Sequence, residues 1–176
     1  KGVLYLMDGK TYRAVRKSSK NTAWEAVSVS GTAYVPTTTI SAAPTGGGTS
    51  YEAVNLLTPK RINTFIGDGT ATQFKVDATD LDETAVTAEV NGSAVTVSAV
   101  NRSTGLVTLA AAPANGNGLA NVSIAFAKTV SGHADKINKC RFAGLYGGKH
   151  DTRGFLSGNP DEPDCDWQSG LYDPTY

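Results

Sequence analysis

Histidine, cysteine and tryptophan each occur only twice in the 176 residues, and methionine once. A constellation of nucleophile, base and orienting group that uses histidine has only His133 and His150 to draw on, and neither stands in a recognisable motif. Both read as solvated loop histidines. An excess of either charge is also missing. Sixteen basic and sixteen acidic side chains cancel, so the chain lacks the electrostatic footprint of a nucleic-acid or anionic-membrane binder. The longest apolar run, Val3 to Met7, falls far short of the roughly 20 residues that a spanning helix needs. No signal-peptide pattern opens the chain. A soluble protein is expected, with no nucleic acid and no membrane among its partners. The spacing of Cys140 and Cys165 does not separate a disulfide from two free thiols. The chain opens on Lys1 and stops at Asp173-Pro174-Thr175-Tyr176 without a closing element, so it reads as a piece of a longer polypeptide.

What is present is strand chemistry. Apolar residues make up 40% of the chain and charged residues 18%, in stretches rich in Ala, Thr, Val and Gly, which fits a globule tilted toward sheet and not a disordered chain. Val3 to Met7 and Thr11 to Val15 flank Asp8-Gly9, a dipeptide that tolerates positive φ, so they predict a hairpin. Trp24, Ala26 and the alternation Val27/Val29 predict a third strand. Between Tyr34 and Tyr51 the pattern breaks at Pro36, Pro44 and Gly46-Gly47-Gly48, which predicts an irregular surface connection.

From about Thr64 to Lys128 short strands recur with a turn signal between each pair. They are predicted at Arg61 to Ile66, Gln73 to Asp77, Val86 to Val90, Ala94 to Val100, Leu106 to Leu109 and Val122 to Ala127. Alternation such as Phe74/Val76 and Val122/Ile124/Phe126 gives each strand one apolar face, and two such faces packed together form a sandwich. Beyond Thr129 a single helical turn is predicted at Ala134 to Lys139. Strands follow at Arg141 to Tyr146 and Arg153 to Ser157, around Gly147-Gly148. The predicted fold is all-β: residues 63–128 form a small β-sandwich module inserted into a discontinuous β framework of residues 1–62 and 129–176.

Three stretches carry a resemblance. Tyr51-Glu52-Ala53-Val54-Asn55-Leu56-Leu57-Thr58-Pro59-Lys60-Arg61 resembles a segment of virion structural proteins of tailed bacteriophages. Arg153-Gly154-Phe155-Leu156-Ser157-Gly158-Asn159-Pro160, followed by Trp167-Gln168-Ser169-Gly170 and Asp173-Pro174-Thr175-Tyr176, resembles the same group, although Gly154 stands where that pattern has a bulky strand residue. The middle, from Phe65-Ile66-Gly67-Asp68-Gly69-Thr70 through Thr104-Gly105-Leu106-Val107-Thr108-Leu109 to Ala112-Pro113, is similar to small immunoglobulin-like modules of phage tail and baseplate proteins. The resemblance implies a repeated-blade, β-propeller-like protein or a tail or head-tail structural protein, in either case with an inserted β-sandwich module and located in the virion. Its implied partners are other virion proteins, further copies of itself as a homo-oligomer, and a host surface. It brings no catalytic residues and no cofactor.

Few residues suggest chemistry. Asp161, Glu162, Asp164 and Asp166 offer oxygen ligands of the kind Ca²⁺ takes, but Pro163 breaks any EF-hand spacing and a solvated acidic turn is the simpler reading. Asp80, Asp82 and Glu83 read as a turn. Gly67-Asp68-Gly69-Thr70 lacks the Lys-Ser/Thr ending of a phosphate loop. No enzyme activity, metal or cofactor is expected. Trp24, Tyr34, Trp167 and Tyr172, with Tyr176, are the candidate interface or glycan contacts, against the alternative that they pack in a core. The second functional reading is a carbohydrate-binding or adhesion module of a secreted bacterial protein.

Overall fold

The computed structural model describes residues 2–20, 22–146, 149 and 152–176. Gly147, Gly148 and His150, singled out above, lie outside the described residues. The fold is nearly all β, in several sheets of which none is closed. The chain divides into two units: Lys1–Tyr34, Asn55–Thr58 and Val130–Tyr176 form the first, and Val35–Val54 with Pro59–Thr129 form the second.

In the second unit, β4 (Thr37–Ala42), β5 (Lys60–Phe65), β7 (Thr87–Val90), β8 (Ser93–Val95) and β11 (Val122–Ala127) make a five-stranded sheet in the order β4-β5-β11-β7-β8. The other sheet is β6 (Gln73–Lys75), β9 (Val97–Asn101) and β10 (Leu106–Leu109), ordered β6-β10-β9. Alternate residues of both sheets supply one core: Phe65, Val122, Ile124 and Phe126 from the larger, Phe74, Val107 and Leu109 from the smaller. The Phe65 and Phe74 rings meet edge to face at 5.3 Å between centroids, an arrangement aromatic quadrupoles favour.

Two expectations need correction here. The stretch read as an irregular connection contains β4, which pairs in parallel with β5, so the unit begins well before residue 63. Its threonines looked too polar for a strand. Thr38 and Thr39 are in fact buried because their hydroxyls are satisfied internally, Thr38 donating to Asp77 Oδ2 (2.7 Å) and Thr39 to the Gly47 carbonyl (3.0 Å). The single strand expected over Ala94 to Val100 is two, β8 pairing with β7 in one sheet and β9 with β10 in the other. Alternation runs on through this switch of sheets, so periodicity does not reveal it. Leu106–Leu109 and Val122–Ala127 form as predicted, and Asn91-Gly92 makes the turn between β7 and β8 with both residues at positive φ.

A polar bolt crosses this core. Asn63 is 0% exposed; its amide donates to Thr38 Oγ1 (2.7 Å) and to the Ile62 carbonyl (3.1 Å), while its oxygen accepts from the Asp77 N–H (2.8 Å). Asp77 lies two residues beyond the end of β6, so the network joins β4 and β5 of one sheet to the segment that leaves a strand of the other.

The first unit carries two three-stranded antiparallel meanders. One is β1 (Val3–Met7), β2 (Tyr12–Lys17) and β3 (Trp24–Val27); the other is β12 (Phe142–Tyr146), β13 (Arg153–Ser157) and β14 (Trp167–Gln168). At the predicted hairpin Gly9 has φ 75, and Asp8 Oδ1 accepts the Lys10 and Thr11 N–H groups at 2.9 and 2.7 Å, which holds its carboxyl below the usual range. Val29, expected on the third strand, instead starts the one-turn helix α1 (Val29–Thr32), which Ser28 caps by accepting the Gly31 N–H. The predicted helical turn is α2 (His133–Asn138). Asn159, buried after Gly158 in the Ser-Gly-Asn-Pro turn, donates to the Asp135 and Lys136 carbonyls and ties the end of β13 to that helix. Asn55 donates to the Tyr34 and Thr175 carbonyls and fastens the C-terminal segment in the same way.

Candidate interaction surface

The two units bury their apolar groups very differently. The second closes around three phenylalanines, whereas the buried apolar residues described in the first are small or few: Ala14, Val29, Ala33, Ile137 and Cys140. Many of its large side chains are exposed, and the register shows how they are arranged.

Residues directly opposite in an antiparallel pair share a face. Leu4 faces Val15, which faces Ala26, and Lys17 faces Trp24, while Leu6 faces Arg13. One face of β1-β2-β3 therefore carries Leu4, Leu6, Val15 and Trp24 together with the cations Arg13 and Lys17. Leu4, Leu6 and Trp24 are exposed, the indole at 64%. Lys17 Nζ stands 5.9 Å from the indole centroid, within cation–π reach. The opposite face holds Tyr5, Tyr12 and the buried Ala14, with the two tyrosine rings stacked at 5.6 Å.

In the other meander β12 is exposed along its whole length, on both faces and at a sheet edge. Tyr146 is 78% exposed and meets the Phe155 ring at 6.1 Å, while Leu145, 80% exposed, points to the other face. The strand Phe142-Ala143-Gly144-Leu145-Tyr146 has no charge and no proline, so it lacks the devices that usually blunt a free edge.

The four aromatic candidates lie on different elements. Trp24 is on β3, Trp167 is half-buried on β14 opposite Leu156, and Tyr172, 63% exposed with φ 56, follows in the C-terminal loop. Tyr34 follows α1 and leans on Tyr176 at 4.9 Å. Core packing thus does not describe Trp24 or Tyr172. The residues that sequence reasoning did not single out are the strand aliphatics Leu4, Leu6 and Leu145, all exposed.

The acidic run is partly spoken for. Asp161 pairs with Lys139 at 2.6 Å and Glu162 with Lys136 at 3.2 Å, both lysines on or beside α2, and the Asp161 carboxylate raises the Lys139 ammonium above its usual range. Asp82 accepts from the N–H and hydroxyl of Thr129, and Glu83 pairs with Arg102 at 3.0 Å, as a structural turn would require. Asp68 Oδ1 accepts from Thr70 and Ala71 N–H groups, so the Gly67 to Thr70 loop is occupied by its own carboxylate. Among the described residues no group of three or more His, Cys, Asp or Glu is placed to hold a metal. His133 opens α2.

Both cysteines are free, Cys140 buried and Cys165 exposed. Burial pushes the Cys140 thiol up, with Asp166 adding to it. A maleimide titration of native protein is expected to label Cys165 alone, the second thiol reacting only after denaturant; rapid double labelling of the native state would contradict the burial of Cys140.

Alkali is expected to loosen this unit. Burial first, then the charges of Tyr5 and Asp173, push the Tyr12 phenol up to about 12, and its hydroxyl donates to the Pro174 carbonyl at 3.1 Å. A phenol held neutral in the fold contributes stability that is complete below its ordinary value of 10.0 and disappears as the pH rises through about 12. Melting temperatures over that window should fall less for Tyr12→Phe than for the parent; identical pH profiles would remove Tyr12 as the cause.

Compared with known proteins, the chain matches no family model, no curated protein and no solved structure.

Proposed function

We propose that this chain is a structural component of a bacteriophage virion, in the tail or head-tail region, and that it works by protein–protein contact. The observation that supports this most is the contrast between its units. One has a closed core; the other leaves Leu4, Leu6, Trp24, Phe142, Leu145 and Tyr146 on uncovered strands. An exposed Leu or Phe forgoes roughly 1.5–3 kcal/mol that burial would supply, so a surface with several is one that gains by being covered. The resemblance of the 51–61 and 153–176 stretches to virion structural proteins gives the setting, and the middle module fits an immunoglobulin-like insertion in such a protein. Mass spectrometry of density-purified phage particles should find the chain in many copies per particle. Its absence from intact particles would overturn the reading.

The exposed indole of Trp24, with Lys17 beside it, favours a second reading as a carbohydrate-binding module. Glycan-array binding that Trp24→Ala abolishes would support that reading. Trp167→Ala is a poorer probe, because Trp167 is half-buried against the sheet and its loss would disturb packing as well.

A further inference from the structure

The formal neutrality of the chain conceals a separation of charge. Residues 1–20 carry six cationic side chains and a single carboxylate, Asp8, whereas residues 159–176 carry five carboxylates and no cation. Both stretches belong to the first unit. Among the described residues no ion pair joins the two stretches. The ion pairs of that unit among the described residues are Arg16 with Glu25, Lys136 with Glu162, and Lys139 with Asp135 and Asp161. Among the described residues Arg13 and Lys17, on the exposed face of β1-β2-β3, form no ion pair, and neither do Asp164 and Asp166 in the exposed loop before β14.

We infer that copies of this chain associate head to tail, the apolar and cationic face of β1-β2-β3 on one copy receiving the Asp164 to Asp166 loop of the next. The inference rests on the contact-making role proposed above and names the two surfaces. Leu4, Leu6, Val15 and Trp24 supply apolar area that association removes from water. Arg13 and Lys17 at its border set the partner, since only an acidic segment meets them without leaving like charges opposed. The two patches differ, so the contact is heterologous: each copy keeps one free patch after pairing, and the series closes as a ring or continues as a filament.

A charge exchange tests this on the full chain. One variant carries Arg13→Glu and Lys17→Glu, the other Asp164→Lys and Asp166→Lys; all four positions are exposed, and matching melting curves would show that the folds are kept. In sedimentation velocity the parent should self-associate, and less so at high salt, where surface charges are screened. Each variant alone should lose at least about tenfold in association constant, because acid now meets acid or base meets base. Their equimolar mixture should recover it, every junction again pairing opposite charges. A second measurement does not depend on variants: a photo-crosslinker on the exposed Cys165 should capture peptides from residues 13–27 of a different, isotope-marked copy. A parent that stays monomeric at all concentrations overturns the inference, as does association that survives in both variants or crosslinks that reach only other segments. None of these results touches the virion reading, which fails instead if purified particles lack the chain.

Discussion

Residues 35–129 produced alone should unfold in one cooperative urea transition, whereas residues 63–128 alone should show none. The shorter piece deletes β4 and half of β5, and with them the parallel pairing that flanks the core at Ala42. It also takes away both acceptors of the buried Asn63 amide, the Thr38 hydroxyl and the Ile62 carbonyl. An orphaned buried polar group costs about 1–3 kcal/mol. A unit of this size has only about 0.05–0.15 kcal/mol per residue in hand, so losing that network together with a strand removes most of it. Circular dichroism against urea decides the matter. A sharp transition in the 63–128 piece would mean that β4 is an accessory to the module, and that the sequence-based limits describe it better than the observed unit does.

Phe74→Ala in the full chain should lower the stability of the second unit by about 3–5 kcal/mol, the usual cost of emptying a large aromatic site. Phe74 is fully buried, and its ring is the contact between the smaller sheet and Phe65 of the larger. Few neighbours can slide in to fill the space, because the sheets are held at a fixed separation by the Asn63–Thr38–Asp77 hydrogen bonds. Most of the unit's stability is at stake, so the expected result is a collapse of its urea midpoint. Phe74→Leu should recover a large part of the loss by keeping much of the volume. A Phe74→Ala midpoint within experimental error of the parent would show that the two sheets do not share a core. Trp24→Ala makes the contrast: its ring is mostly in water, and its removal should leave the melting temperature nearly unchanged while weakening whatever covers that face.

The second unit was largely legible because its strands obey two local rules at once. Val122 to Ala127 alternates cleanly, and Asn91-Gly92 supplies the one dipeptide that its turn favours most. β4 was not legible, because a threonine counts as polar until a partner for its hydroxyl is known, and that partner, Asp77, lies 39 residues away. The switch between β8 and β9 was hidden for a related reason. Val95 and Val97 both pack on the core, and period two is the same whichever sheet a strand joins.

The candidate surface shows the converse. The apolar character of Val3 to Met7 and of the strand after Arg141 was plain in the sequence, yet it could not say whether either face would find anything to pack against. Sequence by itself determined the β character, the places of most turns, the separation of basic and acidic ends and the scarcity of histidine and cysteine, all of which are read from composition or from neighbours a few positions apart. Tertiary structure alone decided where the module begins, that Asn63 joins its two sheets, and that Leu4, Leu6, Trp24 and Leu145 stay in contact with water. Burial is a property of what lies across the fold, and the strands that would cover those side chains are not supplied by their own unit.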